Sequence, residues 1–157
     1  MEKLKNNIHQ PEFKVDPNIS NTQVEEEIKP FCSEAAYSML QNMVKEKRSF
    51  EDRVILLTCS ELGLKEDMNL EKIINLAKDK GYVPCPHQVG PALFLQIKRK
   101  PPKEPVKSFV VITTPINSGT EINSLFRCVL KDNAWKLYSY PDKATFSPND
   151  YVILSRK

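Results

Sequence analysis

The stretch YVPCPHQVGP, from Tyr82 to Pro91, divides the chain into two halves of different pattern. Three prolines and one glycine leave room for at most one turn of helix, which we place at about His87 to Gly90. Before this stretch the apolar residues follow helical spacing, and after it they follow strand spacing. The sequence therefore predicts an α+β fold, with a helical N-terminal half packed on a small antiparallel β-meander in the C-terminal half.

Two amphipathic helices are predicted before the divide. The first begins after Ser33, a favourable N-cap residue, and continues to about Lys47. The second begins after Asp67 or Asn69 and ends at Gly81, because glycine readily adopts the left-handed conformation that stops a helix.

The remaining N-terminal segments are less regular. Residues 1–22 are predicted to form a flexible or extended arm, and residues 23–157 a single domain. A short acidic helix at Val24 to Ile28 ends before Pro30. The short apolar run Arg53 to Thr58 is predicted to be a buried strand, with a helix as the open alternative because periodicity alone does not separate the two.

Strand patterns dominate after the divide. In the run from Leu125 to Lys131, alternation places Phe126 and Cys128 on one face and Arg127 on the other. Asp132 and Asn133 form the tight turn of a hairpin. The five predicted strands cover residues 93–97, 108–116, 125–131, 134–140 and 151–154.

Composition limits the function classes. The chain has 157 residues, 40% of them hydrophobic and 27% charged, which suits one globular domain with its own core. A net charge of +3 is small for a dedicated nucleic-acid binder. No apolar run approaches the roughly 18 residues of a membrane span. The N-terminus lacks the apolar core of a secretory signal, so we expect a cytoplasmic protein, with delivery by a specialised secretion system left open.

Cys85 and His87 are the candidate catalytic residues, because thiol enzymes need a thiolate beside an imidazole base. Residues two apart on a proline-locked segment tend to point in different directions, which favours a buried structural role for Cys85. A zinc site could combine this pair with Cys59 or Cys128, but zinc sites commonly use two closely spaced pairs of ligands. The sequence predicts no metal site.

A basic segment at residues 98–107 is the candidate binding site. We expect it to be a proline-rich loop that joins two strands and forms a solvated hairpin tip, with contact to an acidic partner or phosphate as the functional alternative. No interleaved aromatic residues support base stacking. The candidate binding residues are Lys98, Arg99, Lys100, Lys103 and Lys107.

Motifs for cofactor chemistry are absent from the sequence. The four glycines do not form a phosphate-binding loop or a dinucleotide fingerprint, and no nucleophile-elbow or zinc-protease motif occurs. We therefore expect no cofactor.

The segments Glu61-Leu62-Gly63, Ile73 to Gly81 and Cys85 to Gln96 resemble a family of uncharacterised bacterial proteins. Its members carry a Leu-Cys-Pro-Ala-Glu-Val-Gly-Pro box followed by a strand that ends in Leu-x-Leu-Gln. The resemblance covers about residues 53–157, and His87-Gln88 replaces the usual Ala-Glu. It implies a Gly-Pro turn packed against the sheet and implies no activity.

Three functional hypotheses follow. The first is a non-catalytic bacterial interaction domain whose partner is another protein. The second is a small enzyme that uses a Cys85 thiolate. The third is a weak nucleic-acid binder that uses the basic segment 98–107. The motifs favour the first and leave the question of enzyme activity open.

Overall fold

A curled, mixed β-sheet, with seven strands among the described residues, forms the body of the protein. The computed structural model describes residues 12–15, 24–43, 52–101, 106–119 and 121–156. The sheet order is β1-β2-β7-β4-β5-β6, and β3 pairs with the last residues of β7. The strands are β1 (Glu12–Val15), β2 (Asp52–Thr58), β3 (Tyr82–Val83), β4 (Ser108–Asn117), β5 (Asn123–Lys131), β6 (Ala134–Pro141) and β7 (Tyr151–Arg156).

One strand pair makes the sheet mixed. β7 lies between β2 and β4, antiparallel to β2 and parallel to β4, with Val110 beside Val152. The other strand pairs are antiparallel. Asp132 and Asn133 have φ angles of 53° and 65°, as the tight hairpin between β5 and β6 requires.

Three α-helices lie in the described part of the chain: α1 (Glu34–Asn42), α2 (Leu70–Asp79) and α3 (Val89–Arg99). The Ser33 hydroxyl accepts a hydrogen bond from the Ala36 amide at 3.2 Å, so it caps α1. Asn69 caps α2 in the same way. A turn of π-helix at Val24–Ile28 and 3-10 turns at Lys29–Phe31 and Ser60–Leu62 complete the helical segments.

The two faces of the sheet bury separate hydrophobic cores. Val54, Phe126 and Ile153 face the core that contains α1 and α3. Ile55 and Leu154 face the core that contains α2. Consecutive residues of β2, β4 and β7 are therefore buried, which is typical of strands covered on both faces.

Helix α3 lies in the concave face of the curled sheet. Eight of its eleven residues are buried, and it contacts β1 at one edge of the sheet and β6 at the other. Its exposed and half-buried residues lie near its C-terminal end, so most of the helix lacks the solvated face that makes a surface helix amphipathic.

The predicted fold class is wrong. The structure is dominated by its sheet, which includes strands from both halves of the chain, and is not a helical half packed on a small meander. The parallel β4–β7 pair also excludes a simple meander. Residues 93–97, which were predicted to form a strand, belong to α3. The prediction failed because a helix buried on nearly all sides has an apolar run without a polar period, as a buried strand does.

Several local predictions are confirmed. Residues 53–58 lie in a strand, and the strands predicted at 108–116, 125–131, 134–140 and 151–154 form with small differences at their ends. Gly81 has a φ angle of 86° directly after α2. The predicted end of the first helix lies outside the described residues, as does the predicted arm except for β1. Among the described helices, none has the length and apolar character to cross a membrane.

Candidate functional site

The Cys85 side chain points into the protein. Its backbone amide donates a hydrogen bond to the Ile112 carbonyl at 2.7 Å, which aligns the segment with β4. The Cys85 Sγ lies 3.8 Å from the Ile153 carbonyl oxygen, and the residue is 4% exposed. A nucleophile must reach a substrate from solvent. This burial therefore opposes the role of a catalytic thiol for Cys85.

His87 is half-buried and contacts a different strand. Its Nε2 atom lies 2.6 Å from the Thr114 hydroxyl on β4. This contact holds the segment before α3 against the sheet. The interaction fits the position of His87 at the entry to the helix.

The thiols considered for zinc lie in two cores. Cys85 and Cys128 belong to the core beside α3, whereas Cys59 belongs to the core beside α2. Burial raises the pKa of Cys59 to about 12, with Asp150 as a smaller cause, and it raises the pKa of Cys128 further. In the described ranges, no three His, Cys, Asp or Glu side chains are grouped to hold a metal ion.

Lys98 and Arg99 have intramolecular contacts at the end of α3. The Lys98 Nζ lies 3.2 Å from the centroid of the Phe31 ring. Arg99 and Glu27 form an exposed ion pair at 3.0 Å. Desolvation lowers the pKa of Lys98, aided by Arg99 and opposed by Glu27. Both cations therefore attach the helix to the segment that precedes α1.

The basic segment is consequently not a simple loop between two strands. Its first residues belong to α3, which corrects the prediction for 98–107. Lys100 and Lys107 are exposed, and Lys103 lies outside the described residues. The structure separates the candidate cations, and it places Lys107 beside a pocket that the sequence did not predict.

This pocket has a volume of about 390 Å³ and lies where β4 and β7 begin. It contains two formal positive charges, from Lys107 and Arg127, and one negative charge, from Asp150. Such a volume is at the low end of small-ligand sites, which span roughly 300–1,000 Å³. Its lining residues are Lys107, Ser108, Phe109, Val110, Arg127, Tyr140, Asn149, Asp150 and Tyr151.

The sheet holds Arg127 in place. The residue is paired with Val110 of β4 and Tyr138 of β6. Its Nε atom donates a hydrogen bond to the Ser108 hydroxyl at 3.0 Å, and its guanidinium carbon lies 5.8 Å from the Tyr140 ring centroid. Within the described residues, its terminal nitrogens make no hydrogen bond or ion pair. The guanidinium is thus positioned while several of its donors remain available.

Asp150 supplies the opposite charge. Its Oδ2 accepts a hydrogen bond from the Ser147 amide at 2.9 Å, which orders the loop before β7. The Tyr140 hydroxyl donates a hydrogen bond to the Thr145 carbonyl in the same loop. These bonds fix one wall of the pocket.

Tyr140 lines the same pocket as the two charges. Burial raises the pKa of Tyr140, the charge of Asp150 raises it further, and Arg127 opposes the shift. Both charged groups therefore act on the same phenol. Among the described ion pairs there is none between Arg127 and Asp150 within 4.0 Å.

Sequence reasoning missed this site for a physical reason. Alternation correctly placed Arg127 on the face opposite Phe126, and a charged residue in the middle of a strand was an available signal. Asp150 lies in a distant loop, and no spacing connects it to Arg127. Only the β4–β7 pairing brings the two residues to one pocket.

Comparison with known proteins finds no matching family model, no matching curated protein and no matching solved structure. The resemblance based on the box at residues 85–96 stays a prediction.

Proposed function

We propose that the chain is a non-catalytic interaction domain that binds an acidic group of another protein in the pocket at the start of β4 and β7. The observation that carries this proposal is the Arg127 guanidinium, which is oriented by Ser108 and Tyr140 and keeps its terminal donors available. A planar guanidinium suits bidentate recognition of a carboxylate.

Pre-orientation supports binding at this position. A long cationic side chain normally loses rotamer freedom when it binds a partner. Arg127 is already held through its Nε atom and its contact with an aromatic ring, so a partner would restrict it less. Exposed Lys107 adds a second cation at the same pocket.

Three observations favour this proposal over the other hypotheses. Cys85 is buried, which does not suit a thiol enzyme. Asp150 lies in the pocket wall, where it would repel a polyphosphate chain, and Lys98 and Arg99 already contact other side chains. We propose the bacterial cytoplasm as the setting, since all four cysteines are free thiols.

A peptide titration tests the proposal. The probe is acetyl-Gly-Glu-Gln-Gly-amide, and its control replaces the glutamate with glutamine. Chemical shifts of the backbone amides report the position and strength of binding. We expect the glutamate peptide to shift amides at the pocket and the glutamine peptide to leave them unchanged.

Variants of two cations on β5 provide the matched comparison. Arg127→Gln should weaken binding roughly tenfold or more, because a hydrogen bond to a charged group contributes about 1.5–3 kcal/mol. Lys131→Gln removes the same charge from an exposed position outside the pocket and should have little effect. Equal losses of affinity in the two variants, or no binding of the glutamate peptide to the unmodified protein, would contradict the proposal.

A second pair of variants separates the pocket from the basic segment. Lys107→Gln should weaken binding, whereas Lys100→Gln, which changes an exposed cation outside the pocket lining, should not. A larger effect at Lys100 would instead support binding by the basic segment.

A further inference from the structure

We infer that the pocket recognises a dipolar peptide segment, in which a carboxylate side chain meets Arg127 and a neighbouring ammonium side chain meets Asp150. The inference rests on the proposed function and names the chemistry of the partner. It starts from two opposite charges that line one cavity without forming an ion pair.

Two of the three charges that line the pocket are individually held. Arg127 is oriented by Ser108, and Asp150 is oriented by the Ser147 amide. Each group therefore keeps its place instead of moving to neutralise the other. Two partly desolvated charges are stabilised only when partners satisfy both of them.

Tyr140 contributes a neutral, aromatic part of the same lining. Its hydroxyl donates to the Thr145 carbonyl, so this hydrogen is already engaged. The Tyr140 ring also packs against Phe146, with ring centroids 5.1 Å apart. A ligand that contacts Tyr140 in this pocket would therefore meet a fixed ring beside two unlike charges.

A purely acidic ligand can satisfy the two cations, Arg127 and Lys107, but it leaves Asp150 without an opposite charge. A carboxylate placed beside Asp150 would be repelled. An ammonium group beside the carboxylate removes that repulsion and adds an attraction. Charge complementarity of this kind determines specificity more strongly than affinity.

The test compares three peptides by amide chemical shifts. The first, acetyl-Gly-Glu-Lys-Gly-amide, presents both charges. The second replaces its lysine with glutamine, and the third replaces its glutamate with glutamine. We expect the first peptide to bind about fivefold more tightly than the second, a gain in the upper range for a partly exposed ion pair.

Asp150→Asn should abolish this gain and leave binding of the glutamate-glutamine peptide unchanged or stronger. The asparagine oxygen can still accept the hydrogen bond from the Ser147 amide, so the loop should keep its structure. Asp132→Asn is the matched control, because Asp132 is exposed in the β5–β6 turn and asparagine tolerates its positive φ angle.

The outcomes separate the inference from the proposed function. If both glutamate peptides bind equally and Asp150→Asn changes neither, the dipolar inference is wrong and the proposed function stands. If neither glutamate peptide binds, both are wrong. If Asp132→Asn abolishes the gain as Asp150→Asn does, the selectivity comes from overall charge and the inference is again wrong.

Discussion

Gly90 of α3 lies directly against Phe126 of β5. A Cβ atom on Gly90 would be 2.6 Å from Cδ2 of Phe126, which is shorter than any ordinary contact. The Phe126 side chain is fully buried and belongs to the core of the concave face. Helix α3 therefore approaches the sheet this closely only because residue 90 has no side chain.

Gly90→Ala should destabilise the protein by about 1–3 kcal/mol, because overpacking forces the helix or the ring to move. Chemical unfolding of the two proteins measures this difference. Phe126→Leu removes part of the ring, so the double variant should lose less stability than the sum of the single losses. Additive losses would show that the two residues are not coupled.

Asn69→Ala should destabilise the protein by about 1 kcal/mol, because the Asn69 side chain accepts the Lys72 amide hydrogen bond at the start of α2. The free energy of unfolding is the measurement. Asn69→Asp keeps an acceptor and serves as the control. A loss as large for aspartate as for alanine would argue against capping as the cause.

Stability should fall as the pH rises above about 9, partly because of Cys128. Its thiol has an ordinary pKa of 9.0, and burial raises this pKa in the folded protein. Above pH 9 the unfolded chain loses the proton while the folded chain keeps it, so deprotonation stabilises the unfolded state.

Cys128→Ala should consequently reduce the alkaline slope of stability against pH, whatever it does to stability near neutrality. Unfolding at pH 7 and at intervals above pH 9 measures both quantities. Identical slopes for the two proteins would show that Cys128 does not contribute to the alkaline loss.

The two cation contacts at the end of α3 should differ in strength. Arg99→Gln should lower the free energy of unfolding by less than about 0.5 kcal/mol, because the Arg99–Glu27 pair is exposed and surface ion pairs contribute little. Lys98 lies over the Phe31 ring. Lys98→Met keeps most of the aliphatic stem but removes the charge, and it should lower the free energy of unfolding by about 0.5–1 kcal/mol.

A double-variant cycle with Phe31→Leu tests the Lys98 contact. The free energies of unfolding should show coupling between positions 98 and 31. Coupling that is equally large between positions 99 and 31 would point to a general effect of charge instead of a contact with the ring.

Local signals in the sequence predicted much of the secondary structure. The caps Ser33 and Asn69 and the turn at Asp132–Asn133 depend on short-range chemistry, so sequence patterns identify them. Helix α3 was not predicted, because its burial on nearly all sides removes the polar period from its sequence. Pro91 also suggested a break, although proline is tolerated in the first turn of a helix.

The sequence did not predict the candidate site, and the reason differs from that for α3. Lys107 was predicted as a binding residue, and the alternation around Arg127 was correct. Their relation to Asp150 depends on the placement of β7 beside β4. That pairing joins residues far apart in the chain, and no pattern within either strand encodes it.

The position of β7 also affects how the chain can fold. Residues 151–156 form an interior strand of the sheet, although they follow the other described strands in sequence. During synthesis, β2 and β4 cannot acquire their shared neighbour until residues 151–156 have left the ribosome. We therefore expect the sheet to close late and slowly, through contacts between distant residues. Until then, the facing edges of β2 and β4 would remain open to incorrect pairing.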